Sequence, residues 1–203
     1  MLCSNCIAHL PRITSPFCRR CGLPLAKESC PDCLRQEPSF DGLRAPFKFE
    51  RLVRESIHQL KYRNLRMLAK PLAGELAGYL KNSPLPSDLI VPVPLHRNRL
   101  RERGYNQSEL LAQELGRMVG LSVNCSCLTR VLDTNPQVKL EKVAHRRQNV
   151  ARAFHCESGQ IKGRRVMIID DVATSGATVN SCALSLKQAG ALSVWGLTIA
   201  REI

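Results

Sequence analysis

One stretch, residues 165–200, constrains this chain more than any other. Arg165-Val166-Met167-Ile168-Ile169-Asp170 is a continuous apolar run closed by acids, Thr178 to Ala189 has helical spacing, Gly190 stops it, and Ala191 to Ala200 is apolar again. Strand, helix, strand in that order is a βαβ unit. Strands this uniformly apolar belong in a parallel sheet covered by helices on both faces. Ligands of such sheets sit off the carboxyl ends of the strands. The segment from Asp170 to Thr178 is therefore expected at the functional edge.

That segment reads Asp170-Asp171-Val172-Ala173-Thr174-Ser175-Gly176-Ala177-Thr178. Two adjacent carboxylates can accept hydrogen bonds from vicinal hydroxyls. A small, hydroxyl-rich loop then enters a helix N-terminus, where unpaired backbone N–H groups and the helix dipole favour a phosphate. A diol and a phosphate at fixed separation describe a ribose 5-phosphate. The plain alternative is a capped turn with two solvated acids; the preceding strand, the following helix and the acid pair together weigh against it.

The cysteines are the second constraint. Six of the ten form three Cys-x-x-Cys pairs within the first 33 residues, while Cys125, Cys127, Cys156 and Cys182 have no such spacing. No run approaches the roughly 18 apolar residues of a membrane span, and the N-terminus lacks the basic flank and apolar core of a secretory signal. The chain is read as cytoplasmic, where thiols stay reduced and paired cysteines point to metal rather than disulfides. Cys18, Cys21, Cys30 and Cys33 make one complete tetrahedral thiolate set for Zn²⁺. Cys3 and Cys6 lack a partner pair, and His9 adds one nitrogen at most. Either that pair is idle, or it is half of a second ribbon whose other half would lie upstream of Met1, which is the expectation here.

The division that follows is a cysteine-rich zinc ribbon over 1–36 and an α/β domain over 45–203, with Gln36 to Pro46 as linker or edge strand. Helical spacing runs from Arg51 to Leu80, with breaks possible at Asn64 and Pro71. Asp88 to Pro94 reads as a buried strand ended by prolines, Asn106 to Val119 as a second helix, and Asn124 to Leu128 as a short strand.

The nine residues Asp170 to Thr178 resemble the phosphoribosyl-diphosphate (PRPP) signature of type I phosphoribosyltransferases. The resemblance implies that Asp170 and Asp171 bind the ribose 2- and 3-hydroxyls and act in catalysis. It implies that Ala173, Thr174, Ser175, Gly176, Ala177 and Thr178 cradle the 5-phosphate, and that Mg²⁺ accompanies the diphosphate. Val91-Pro92-Val93-Pro94-Leu95-His96 resembles the pyrophosphate-binding turn of amidophosphoribosyltransferases, with Arg97, Arg99, Arg101 and Arg103 close behind. A narrower likeness is to the ComF competence proteins and the similar GntX-type proteins linked to DNA as a nutrient. It rests on Cys30-Pro31-Asp32-Cys33, Leu60-Lys61-Tyr62, Arg103-Gly104-Tyr105-Asn106-Gln107, and Gln137, Arg146, Asn149 and Ala153-Phe154. It covers essentially the whole chain, departing only in having three cysteine pairs where that family usually has four. By the same likeness Arg103, Arg146 and Arg147 are pyrophosphate or flap candidates, the last two lying where these enzymes carry a mobile flap.

The formal net charge is +13, and the excess is uneven: residues 44–70 hold eight Lys/Arg against two Glu, and residues 139–152 hold five against Glu141. Phosphate-rich ligands account for such clusters, whether a diphosphate or a nucleic-acid backbone. Two functions are expected. One is a competence or DNA-utilization protein with a PRPP-type site and a basic surface for single-stranded DNA or a DNA-processing partner. The other is an active phosphoribosyltransferase with an unidentified nucleophile.

Overall fold

A computed structural model describes residues 9–25, 30–132 and 153–203. The strand foreseen at residue 165 organises it. Strand β7 (Arg165–Ala173) pairs in parallel with β8 (Ser193–Arg201) from Arg165↔Ser193 to Ala173↔Arg201. On its other side it pairs with β3 (Leu89–Pro92), and that ladder ends at Pro92↔Ile169. Beyond β3 lies β4 (Ser122–Val123); beyond β8 lie β1 (Gly42–Arg44) and β2 (Phe47–Lys48), all parallel. The spatial order is β1-β8-β7-β3-β4, with β2 also on β8. A separate antiparallel pair joins β5 (Leu128–Arg130) to β6 (Phe154–Cys156).

Helices cover both faces, as expected for such apolar strands. Side chains alternate along a strand, and here the alternation splits the core in two. Val166 and Ile168 belong to one buried cluster with Val179, Cys182, Ala183 and Leu186 of α6 (Ala177–Gln188). Met167 and Ile169 belong to the other, with α2 (Arg51–Tyr62), α3 (Ala69–Asn82) and α5 (Gln107–Val119). The helical stretch after Arg51 breaks at Asn64, whose φ is 56°. It does not break at Pro71, the third residue of α3, where the missing N–H has no helical partner to lose.

Chain direction locates the functional edge. From β3 the chain passes through α4 (Arg97–Arg103) and α5 to β4 on one side, whereas β7 connects through α6 to β8 on the other. The order therefore reverses between β3 and β7. The crevice at their carboxyl ends is the place where open α/β sheets bind ligands.

The foreseen linker supplies the edge strand β1, and the expected strand over 124–128 is instead a turn. There the Asn124 side chain accepts from the Ser126 and Cys127 amides at 3.0 and 2.9 Å, and β5 starts only at Leu128. The cysteine knuckles lie against the sheet. Cys18, Cys21 and Cys30 are buried in the same apolar cluster as Phe40, Leu43 and Ile168, and the Leu43 amide donates to the Arg20 carbonyl at 2.7 Å. Helix α1 (Pro31–Arg35) begins on Cys30. Among the described residues no helix is long and apolar enough to cross a membrane.

Candidate ribose-phosphate site and metal centre

The acid pair sits inside β7, not beyond it. β8 keeps pairing with β7 as far as Ala173↔Arg201, so the strand runs three residues past the end foreseen at Asp170. The β3 ladder stops at Ile169, so the acids are the first residues of β7 with no β3 neighbour. Both are buried, Asp171 more fully.

Alternation along the strand gives the two acids different partners. Asp170 Oδ1 accepts from the Ser108 hydroxyl and from the Asp171 amide, each at 2.9 Å. Asp171 Oδ1 lies 2.8 Å from Lys61 Nζ, and its Oδ2 is buried with no partner. Burial pushes the Asp170 carboxyl up to about 7, and the Asp171 charge adds to this; Lys61, Ser108 and the Asp171 amide pull the other way without prevailing.

The following loop is open. Thr174, Ser175, Ala177 and Thr178 are exposed, while Gly176 is buried. Gly176 caps α6 with φ 78° and offers that helix end no side chain of its own. The Ala177 amide donates to Ser175 Oγ at 3.3 Å. Gly176 is required twice over: the left-handed backbone disfavours a Cβ, and a Cβ there would sit 3.3 Å from Leu43 Cδ2. The loop and helix start bring backbone donors, of which the Ala177 amide meets Ser175 Oγ, next to two acids.

The turn after β3 is held in place from α5. Asn106 Nδ2 donates to the Val93 carbonyl at 3.0 Å, and Asn106 Oδ1 accepts from the Ser108 amide at 3.1 Å as the helix cap. The Val93 amide donates to the Ile169 carbonyl, which pins the turn to β7. Tyr105 donates its hydroxyl to the Leu60 carbonyl, and Gly104 closes α4 in the left-handed conformation. Arg103, foreseen as a pyrophosphate contact, donates to Gln107 Oε1, and its guanidinium lies 5.3 Å from the Tyr62 ring centre. Arg97, Arg99 and Arg101 share α4 with it. Arg146 and Arg147 lie outside the described residues.

Two residues here were given no role from sequence. Lys61 stood in the Leu60-Lys61-Tyr62 likeness, and its contact with Asp171 spans 110 positions. Ser108 directly follows the Arg103 to Gln107 motif, but only the fold brings its hydroxyl to Asp170.

The candidate metal centre gathers the expected cysteines. The four sulfurs of Cys18, Cys21, Cys30 and Cys33 lie within 4.8 Å of one another, with Cys21 and Cys30 3.5 Å apart. A tetrahedral Zn–S distance of about 2.3 Å puts sulfurs about 3.8 Å apart, so the set fits Zn²⁺. Burial alone raises the Cys18 thiol, but hydrogen bonds from the Cys21, Cys30 and Arg20 backbone outweigh it and bring it to about 6. Cys21 is pushed up to about 11 and Cys33 higher, both chiefly by burial. Such a set ionises fully only when a cation takes the protons' place. Gly22, at φ 70°, lets the knuckle approach the Leu43 carbonyl, where a Cβ would sit at 2.4 Å. Cys3 and Cys6 lie outside the described residues.

No protein-family model matches the chain. Among solved structures, a glutamine phosphoribosylpyrophosphate amidotransferase from B. subtilis complexed with ADP and GMP is similar to it. The identity is 22% over 63% of this chain and 25% of that one, with a TM-score of 0.44. Competence protein F of Haemophilus influenzae is 32% identical, covering 97% of this chain and 89% of that protein. DNA utilization protein YhgH of Salmonella typhi is 35% identical, covering 95% and 87%. With a third of the residues shared over nearly the full length of both partners, the chain belongs to the ComF family of competence and DNA-utilization proteins.

Proposed function

We propose that this protein binds PRPP, with Mg²⁺, in the crevice between the carboxyl ends of β3 and β7, and that it acts in the cytoplasm in the uptake or use of DNA. The observation that carries the reading is the buried acid pair beside the glycine-capped start of α6. Asp171 keeps an unpartnered oxygen and Asp170 takes both its hydrogen bonds on one oxygen, so each has acceptor capacity left for a hydroxyl. The names of the family's relatives, competence protein and DNA utilization protein, support the biological setting.

In this reading Lys61 orients Asp171, Ser108 orients Asp170, and amides of the loop from Ala173 to Thr178 receive the 5-phosphate. The carboxylates are hard oxygen donors of the kind Mg²⁺ favours, and a bound Mg²⁺ supplies neutralisation of the diphosphate. If C1 of the ribose loses diphosphate there, positive charge grows on the sugar, and the acid pair lies where it stabilises that charge. Binding and transfer to a nucleophile use the same residues; diphosphate release in the presence of candidate acceptors separates them.

A specific surface supports the nucleic-acid side. Tyr62 is 63% exposed at the end of α2, with the His58 ring 4.8 Å away and Arg103 over its face. Met67 and Leu65 are exposed nearby in sequence, and Arg66 lies 4.5 Å from the Tyr105 ring centre. An exposed aromatic with one guanidinium over its face suits contact with a single strand, base on ring and phosphate on arginine. Lys61, the residue before Tyr62 on α2, reaches Asp171.

Calorimetric titration of PRPP and Mg²⁺ into the wild type and into an Asp170→Asn, Asp171→Asn variant tests the site. The reading expects heat from the first and loss of at least tenfold in affinity in the second. Equal heats from both remove the acids from any ligand role.

A further inference from the structure

Among the described residues, the buried side-chain atoms with no hydrogen-bond partner are Asp171 Oδ2, Ser193 Oγ, and Nε and Nη1 of Arg201. Asp171 belongs to the crevice already described, and Ser193 is a neutral hydroxyl at the opposite end of β8. Arg201 is the exception. It ends β8, is 2% exposed, and has the largest fully buried side chain among the described residues. Neither an oxygen nor a cysteine sulfur of those residues accepts from its two idle donors. Arg44, on the adjoining strand β1, is satisfied instead. Its Nη1 and Nη2 donate to the Leu43 and Arg19 carbonyls, and its guanidinium lies 5.1 and 5.4 Å from the Phe17 and Trp195 ring centres. A buried cation left unpaired is costly, and burial lowers the pKa of Arg201 accordingly.

The fold brings this charge to one place. Arg201 pairs with Ala173 across β7 and β8, and the Glu202 amide donates to the Ala173 carbonyl at 2.9 Å, so Arg201 stands beside the residue that opens the phosphate loop. The Phe49 amide fixes its carbonyl at 2.8 Å. From there Nη1, one of the idle donors, reaches within 3.8 Å of the point that a Cβ on Gly176 would occupy. Gly176 caps α6, so the guanidinium lies directly behind the helix start. The other side chains at that point, Phe40 and Leu43, are apolar and buried. Across so thin and dry a layer, a full charge acts on an anion at the helix start with little screening.

We propose that Arg201 is the buried counter-charge of the phosphate loop and determines its specificity: it favours the doubly charged terminal phosphate of a sugar over the singly charged diester of a nucleic-acid backbone. This rests on the reading of that loop as a phosphate seat. The start of α6 alone supplies about half a positive charge, which suits any anion. A fixed full charge gains twice as much from a dianion as from a monoanion at the same place. The crevice is thereby reserved for free sugar phosphates, and a nucleic-acid backbone is left to the exposed surface around Tyr62.

Calorimetry on the full chain at pH 8 tests this with two probes, ribose 5-phosphate and ribose 5-(methyl phosphate). The first carries close to two negative charges there, and the second, a diester, carries one. A single pH keeps the protonation of Asp170 common to both. The wild type should bind the monoester about tenfold or more tighter than the diester. Arg201→Met should weaken the monoester about 100-fold and the diester about tenfold, so that discrimination shrinks about tenfold, while Arg201→Lys keeps most of it. Equal losses for the two probes in Arg201→Met show a packing role only and overturn the proposal. Wild-type protein that binds both probes alike overturns it too, a result that needs no folded variant. A wild type that binds neither probe sinks the phosphate-seat reading and this inference with it, whereas binding with unchanged discrimination in Arg201→Met sinks the inference alone.

Discussion

Replacing Asp170 by Asn should stabilise the protein above neutrality. The unfolded carboxyl titrates near 3.8 and the folded one at about 7, raised chiefly by burial and then by Asp171. Between those values the folded state holds a proton that the unfolded state has lost, so this group's contribution to stability falls as pH rises from about 4 to about 7. At about 1.4 kcal/mol per pH unit, the mismatch between the folded and unfolded titrations costs the fold roughly 4 kcal/mol by pH 8 and roughly 2 kcal/mol at pH 5. Asn keeps the oxygen that accepts from Ser108 and from the Asp171 amide, and it removes the titration. Urea unfolding of both proteins at pH 5, 6.5 and 8 should give a stability difference favouring the variant and growing by about 2 to 3 kcal/mol over that range. A difference that is flat with pH, or a variant less stable at pH 8, refutes the reasoning. The same variant should bind PRPP more weakly, the usual trade between stability and a working site.

Lys61→Met removes the partner of a carboxylate that is 4% exposed, so the loss should be about 2 to 4 kcal/mol at pH 8. It should shrink toward pH 5, where Asp170, raised by burial and no longer opposed by Lys61, holds its proton; a pH-independent loss by urea unfolding counts against the charge contact. Gly176→Ala forces a side chain into φ 78° and against Leu43, costing about 1 to 2 kcal/mol and weakening ribose 5-phosphate binding in calorimetry. Tyr62→Ala should weaken single-stranded oligonucleotide binding by about 1 to 3 kcal/mol for the stacked base, and wild-type binding should fall steeply with salt. Anisotropy titrations that are insensitive to both the substitution and the salt concentration would remove this surface from nucleic-acid binding.

The parts of this molecule that local pattern controls were readable in advance. The run Val166 to Ile169, the stop at Gly190 and the second apolar run yield β7, α6 and β8 to within a few residues, because a doubly covered strand has no polar face to disguise it. The spacing of Cys18, Cys21, Cys30 and Cys33 likewise needs only a local knuckle. What was not legible depends on partners far away in sequence. β7 extends to Ala173 because β8 follows it there, and nothing in Val172-Ala173 announces this. The Arg97 to Arg103 run forms a helix that His96 caps and Gly104 ends, an element the sequence reading did not assign. Lys61, Ser108 and Arg201 look like ordinary members of their elements, and only the fold brings the first two to the acids and the third behind Gly176.

A diffraction structure of the protein with bound ribose 5-phosphate tests the central claim most directly. The account predicts the phosphate on backbone amides of the loop from Ala173 to Thr178, with the ribose 2- and 3-hydroxyls on Asp170 and Asp171. Phosphate density elsewhere, or a sugar turned away from both acids, contradicts it.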